Sequence, residues 1–167
     1  MKKLFSLITV LAILLCMTTG AITHENPEQS TVSEPMSYQY QGAETDLITL
    51  INNERAANGA YPLAINWEVA RLARYKSEEM RTHRLFGHES LVYGSLAQIL
   101  DRFHVPYSAV GANIAKGQET AGEVMDAWRG SPGHHANLIN QSFTSAGVGL
   151  SWDEYGIPYW TLILIAD

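Results

Sequence analysis

Two histidines stand in settings that present an imidazole for chemistry. His88 follows a glycine in Phe86-Gly87-His88-Glu89-Ser90, and His134 follows Ser131-Pro132-Gly133. Both contexts leave the backbone open to close approach and turn the ring outward. An imidazole so placed can ligate a metal or act as hydrogen-bond donor and acceptor. From spacing alone, the reading of these residues as satisfied polar groups that fix their own loops is the favoured one. His24 lies in a polar segment, and His83 and His104 lie beside helical stretches where a surface place is expected. Other chemistries lack their signatures: there is no Gly-x-Ser-x-Gly elbow, no phosphate loop ending in Lys-Ser or Lys-Thr, and no His-Glu-x-x-His.

The elements that must hold these two rings follow from periodicity. Leu47, Leu50, Ile51 and Arg55 share one stripe of a first helix running from Thr45, with Asn58-Gly59 as its stop. Asn66 caps a second helix whose stripe is Val69, Leu72, Ala73, Lys76 and Met80. Leu85 to Ser90 reads as a loop, Leu96 to Phe103 as a short helix closed before Pro106, and Gly111 to Ala115 as an extended piece. Thr120 and Glu123 have the spacing of a capping box and open a helix through Val124, Ala127 and Trp128. Ser131-Pro132 reads as an N-cap followed by proline at the first helical position, which puts His134 and His135 in a first turn and ends the helix at Asn140.

The last quarter alternates as strands do: Ala146 to Leu150, a turn at Asp153 to Gly156, then Tyr159 to Ile165. Unbroken apolarity in Thr161-Leu162-Ile163-Leu164-Ile165 demands cover on both faces of the sheet. The expected fold class is therefore α+β, a three-layer α/β/α sandwich around a central, mainly antiparallel sheet. Trp67, Trp128, Trp152, Tyr159 and Trp160 are expected mostly in the core, with one or two facing a ligand.

The chain has 167 residues, 46% of them hydrophobic, enough for one domain. Met1-Lys2-Lys3 and the apolar run from Leu4 to Leu15 are the n- and h-regions of an export signal, expected to be cleaved after Ala21. Residues 22–43 are read as a flexible linker, poor in aliphatics, and 44–167 as the folded domain. The single cysteine, Cys16, falls in the apolar run, so the mature chain has no disulfide. Anchoring as a lipoprotein through Cys16 is the less favoured route, because Leu14-Leu15 lacks the small residue such processing wants. The mature form is expected to have no transmembrane segment. Net charge is −6 and becomes more acidic once Lys2 and Lys3 are removed, so no attraction to nucleic acid is expected.

Phe86-Gly87-His88-Glu89-Ser90, Gly111-Ala112-Asn113-Ile114-Ala115, the run from Trp128 to Asn137 and Gly147-Val148-Gly149 occur in an order that resembles the CAP superfamily. That superfamily comprises cysteine-rich secretory proteins, antigen 5 and pathogenesis-related proteins, with the SCP domain in common. The chain looks like its bacterial, cysteine-free branch from about residue 45 to the end. The resemblance implies the α/β/α sandwich and a cleft that in eukaryotic members holds two histidines and two acidic residues, often with zinc. His88 and His134 match the histidines, whereas the acidic positions are Ala112 and Ser131 here. Asn113 and Asn137 also match the motif blocks and are expected behind the cleft, holding loop backbone.

Two imidazoles are half of a tetrahedral zinc site, and without a carboxylate there is no evident general base. If the pair holds a cofactor, it is Zn2+ or another divalent cation, with Glu89, Glu123 or Asp126 as the acidic residues within reach to complete it. The favoured expectation is a secreted, non-catalytic module, extracellular or associated with the cell wall, that binds a lipid, glycan or protein of the envelope. The alternative is a metal-dependent, peptidase-like hydrolase built on His88 and His134.

Overall fold

The computed structural model describes residues 42–166. The expected export signal, Cys16 and the linker up to residue 41 lie outside the described residues. Helix α1 (Gly42–Ala57) starts three residues before the expected Thr45 and takes in the last two residues assigned to the linker. The chain continues through β1 (Ala64–Ile65), α2 (Trp67–His83), α3 (Leu96–Arg102), β2 (Ala109–Lys116), α4 (Ala121–Arg129), α5 (Pro132–Ile139), β3 (Ser145–Trp152) and β4 (Pro158–Ala166).

The four strands form one sheet in the order β1-β3-β4-β2. β4 is central and antiparallel to both neighbours, while β1 joins β3 in parallel. All nine residues of β4 are buried, as its unbroken apolar run requires. Leu162, Leu164 and Trp160 face a core shared with α1, α4 and α5. Ile163 and Ile165, on the opposite face, pack with Val69, Leu72 and Ala73 of α2 and with α3. The result is three layers with the sheet between them. The two-residue β1 was too short to leave a periodic signal in the sequence.

The closest approach between layers is set by glycine. A Cβ at Gly147 would lie 2.1 Å from the Ala70 backbone nitrogen, and one at Gly149 would lie 2.1 Å from that of Arg74. The Gly-Val-Gly block therefore lets α2 lie directly on β3, and Ser77 Oγ fixes the seat by donating to Gly149 O at 3.0 Å. The stripe of α2 is buried as its spacing predicts, including Lys76 at 3% exposure. Arg55, on the stripe of α1, is fully buried and donates to the carbonyls of Tyr61, Leu138, Asn140 and Phe143, tying α1 to the end of α5.

Two caps differ in detail from expectation. Thr120 Oγ1 accepts from Glu123 N, but the Glu123 carboxylate reaches back to Glu119 N at 2.7 Å, one residue beyond the cap. Ser131 sits at the N-cap of α5 in extended conformation, yet its side chain makes no capping bond. The helix starts instead on the Ser131 carbonyl, which accepts from His135 N at 2.8 Å.

Candidate functional site

His88 sits in the loop between α2 and α3, and that loop is held by a buried ion pair. Lys76 Nζ donates to Glu79 Oε2 at 3.0 Å and to the Glu89 carbonyl at 2.6 Å. Glu79 Oε1 accepts from Ser90 Oγ at 2.7 Å and from Leu91 N at 3.0 Å. Both side chains are about 5% exposed, so each charge depends on the other and on the loop. Burial opposes the ionisation of Glu79, but bonds from Ser90 and Lys76 prevail and hold its carboxyl below the usual range. Neither the pairing nor Glu79 was anticipated from sequence. The available signal was Lys76 itself, a cation on an apolar stripe with a carboxylate three residues on.

His134 reaches the same region from the first turn of α5. Asn113, fully buried on β2, donates from Nδ2 to the His134 carbonyl at 3.0 Å. Asn137 Nδ2 donates to Asn113 Oδ1 at 2.9 Å and to the Ala112 carbonyl at 3.3 Å. The two amides thus bolt α5 to the strand behind the cleft. The neighbouring His135 turns away, its Nε2 2.9 Å from Glu54 Oε1 on α1, where Arg129 also binds. That hydrogen bond from His135, against some burial, lowers the Glu54 pKa.

Two cavities near the histidines share Ile114 as a wall. The first, about 350 Å3, is lined by Leu96 and Ile99 of α3, Val110, Ala112 and Ile114 of β2, Ile163 of β4, and Lys76 and His88 at its polar end. Register explains this set, because Ala112 pairs with Ile163 and Ile114 with Thr161 on the α2 face of the sheet. The second, about 300 Å3, is lined by Phe86, Lys116, Gln118, Trp128, Ser131 and His134 among others. His88 and Ala112 therefore belong to one half of the cleft, His134 and Ser131 to the other. His88 is exposed overall, as are His83 and His104, yet partial desolvation, then the proximity of His134 and of Lys76, pushes its pKa down, which favours the neutral ring.

This donor set does not fit a metal. Among the described residues no group of three or more His, Cys, Asp or Glu side chains comes together as ligands would. Of the acidic residues within reach by sequence, two have other partners: Glu123 accepts from Glu119 N and Asp126 from Arg129. Glu89 lines the first cavity beside His88, and only its backbone carbonyl is engaged by the Lys76 ammonium. His83 and His104 are exposed. Of the aromatics, Trp128, Tyr159 and Trp160 are buried, Trp67 and Trp152 are about half exposed, and Trp128 also lines the second cavity. No described helix is long and apolar enough to cross a membrane.

The chain is similar to known proteins in sequence and fold. The Bacillus subtilis protein YkwD is 40% identical over 120 residues, which cover 72% of this chain and 46% of YkwD. The chain thus spans less than half the length of that relative. An extracellular SCP-domain protein of Bacillus anthracis superposes with a TM-score of 0.70 at 28% identity, over 75% of this chain and 41% of that one. An outer surface protein of Borrelia burgdorferi shares the fold, with a TM-score of 0.71 at 18% identity over 77% and 96% of the two chains. The sequence profile of the cysteine-rich secretory protein family, CAP, matches residues 48–164. That match spans more than half of the chain, and the chain belongs to the CAP family.

Proposed function

We propose that this CAP domain is an exported, non-catalytic module whose cleft binds a mainly apolar ligand at or outside the cell envelope. The observation that carries the reading is the first cavity: about 350 Å3, walled by Leu96, Ile99, Val110, Ile114 and Ile163, with a polar end at Lys76 and His88. Apolar walls supply affinity and the polar end orients the ligand. Two of the three Lys76 N–H donors are taken by Glu79 and the Glu89 carbonyl, so its charge is largely balanced and the cavity selects more for shape and apolar area than for an anion. Export by residues 1–21 and tethering by the polar stretch that follows suit this role, as does the extracellular setting of the Bacillus anthracis relative.

A titration with the uncharged fluorophore N-phenyl-1-naphthylamine, in the presence of a chelator, tests the reading. Saturable uptake is expected, and Ala97→Trp, which puts an indole into the cavity from α3, should abolish it. Uptake indifferent to that substitution would refute the assignment. A metal-dependent hydrolase on His88 and His134 is the second reading; it requires zinc affinity in the natural chain, and affinity gained only on Ala112→Glu would count against it.

A further inference from the structure

The large apolar side chains that stay exposed among the described residues are not scattered. Tyr61, Ile65 and Trp67 lie around β1. The others belong to two tips: Leu85, Phe86, Leu91 and Val92 in the loop after α2, and Trp152, Tyr155 and Ile157 at the hairpin between β3 and β4. Arg84 joins the tips, donating to Glu154 Oε1 at 2.6 Å and standing 5.9 Å from the centre of the Tyr155 ring. Leu85 and Phe86 follow Arg84 directly, so apolar side chains of both tips adjoin on one surface.

Both tips close their backbone on themselves. In the hairpin, Asp153 Oδ1 accepts from Tyr155 N and Ile157 N, the Asp153 carbonyl accepts from Gly156 N, and Asp153 N donates to the Ile157 carbonyl. In the loop, Leu85 N donates to the Met80 carbonyl, Leu91 N to Glu79 Oε1, and Val92 N and Tyr93 N to Ser90 Oγ. Exposed turns ordinarily leave such groups to water, whereas a segment that enters lipid must satisfy them internally. The tips turn outward apolar and aromatic side chains, with Leu91 and Val92 at 60% exposure and Tyr155 at 73%.

We propose that this surface docks on a phospholipid bilayer, with Phe86, Trp152 and Tyr155 seated among the headgroups. Tryptophan and tyrosine suit that boundary because each has an apolar body and a polar edge. The chain before Gly42 joins the domain on the same side. Glu44, in the first turn of α1, accepts from Leu150 N, two residues before Trp152, while Arg55 near the other end of the helix reaches the Phe143 carbonyl ahead of β3. A domain tethered to the envelope by that stretch therefore presents this surface to it. Phe86 also lines the second cavity, which puts the cleft beside the docked face. The contact is apolar rather than electrostatic: Arg81 and Arg84 are both paired with glutamates, and a net charge of −6 gives anionic lipid no hold. A second copy or another protein would find few open backbone groups to bond on these tips, whereas a bilayer needs none.

All four tryptophans lie among the described residues, so quenching of their fluorescence by vesicles of dibrominated phosphatidylcholine reports on this domain. Quenching is expected, largely lost in Trp152→Phe and kept in Trp67→Phe, which removes the exposed indole near β1. Phe86→Ser/Tyr155→Ser, one exposed change in each tip, should weaken vesicle partitioning about ten-fold or more, and Tyr61→Ser should leave it unchanged. Absence of quenching, or quenching indifferent to Trp152→Phe, overturns the proposal. So does binding that appears only when phosphatidylglycerol is added and vanishes in salt, which would mean a charge-driven contact. A lipid-free dimer in sedimentation that the double variant dissociates would assign the surface to a second copy instead. Vesicle docking is independent of what the first cavity holds, which fluorophore uptake reads separately.

Discussion

The two halves of the cleft are anchored by opposite means. The His88 loop hangs on a buried ion pair, with Glu79 collecting bonds from Lys76, Ser90 and Leu91. The His134 turn is bolted by neutral amides, Asn113 and Asn137, to a strand of the sheet. A loop has no regular partners for its backbone, so a charged acceptor able to take several bonds at once can organise it. A helix turn already satisfies most of its own groups and needs only one or two bonds to fix its position. The difference predicts that the two histidines are held with unequal robustness, and that the loop is the half that fails first.

The largest effect should come from Glu79→Ala. Removing one member of a buried pair strands the other, and a loss of about 3–5 kcal/mol is expected in urea unfolding, with faster proteolysis at residues 85–94. The double change Lys76→Met/Glu79→Met should recover much of it, because two apolar side chains replace two mutually dependent charges. A double variant no better than the single one would mean that the loop, rather than the charge, is what fails. Asn113→Ala should cost less, about 1–3 kcal/mol, through the lost bond to the His134 carbonyl and the unpaired Asn137 amide. A loss equal to that of Glu79→Ala would erase the contrast.

The lowered His88 pKa makes stability depend on pH in a definite direction. The unfolded chain binds the proton more readily, so the contribution of His88 is complete above the ordinary histidine pKa and fades as pH falls through the lower folded value. Between about pH 7 and pH 5 the wild-type unfolding midpoint should fall more steeply than that of His88→Gln. Parallel curves would show that His88 is not desolvated in its cavity. The smallest effect belongs to Ser131→Ala. Losing an N-cap serine ordinarily costs about 1 kcal/mol, but this hydroxyl makes no capping bond, and a change within about 0.5 kcal/mol is expected.

Much of this contrast was legible in the sequence on one side only. Strand β4 announced itself by unbroken apolarity, α2 by its cap at Asn66 and its stripe, and α5 by Pro132. Those signals are local, set by residues within one or two turns of each other. His88, His134, Asn113 and Asn137 could be chosen because they fall in short motifs; the two amides donate to the carbonyls of His134 and Ala112. The ion pair was hidden, since Lys76 is satisfied in part by a loop carbonyl 13 residues downstream. Arg55 was likewise read as one more member of a helical stripe, although it binds carbonyls more than 80 residues away. The partition of the cleft into two cavities arises only when β2, α4 and α5 meet.

The most direct test of a cleft that works without metal is a calorimetric zinc titration of the protein beside its His88→Ala/His134→Ala variant. The donor set predicts no saturable binding in the natural chain beyond what the variant shows. One-to-one binding that disappears in the variant would contradict it and would put a metal, and with it hydrolytic chemistry, back between the two histidines.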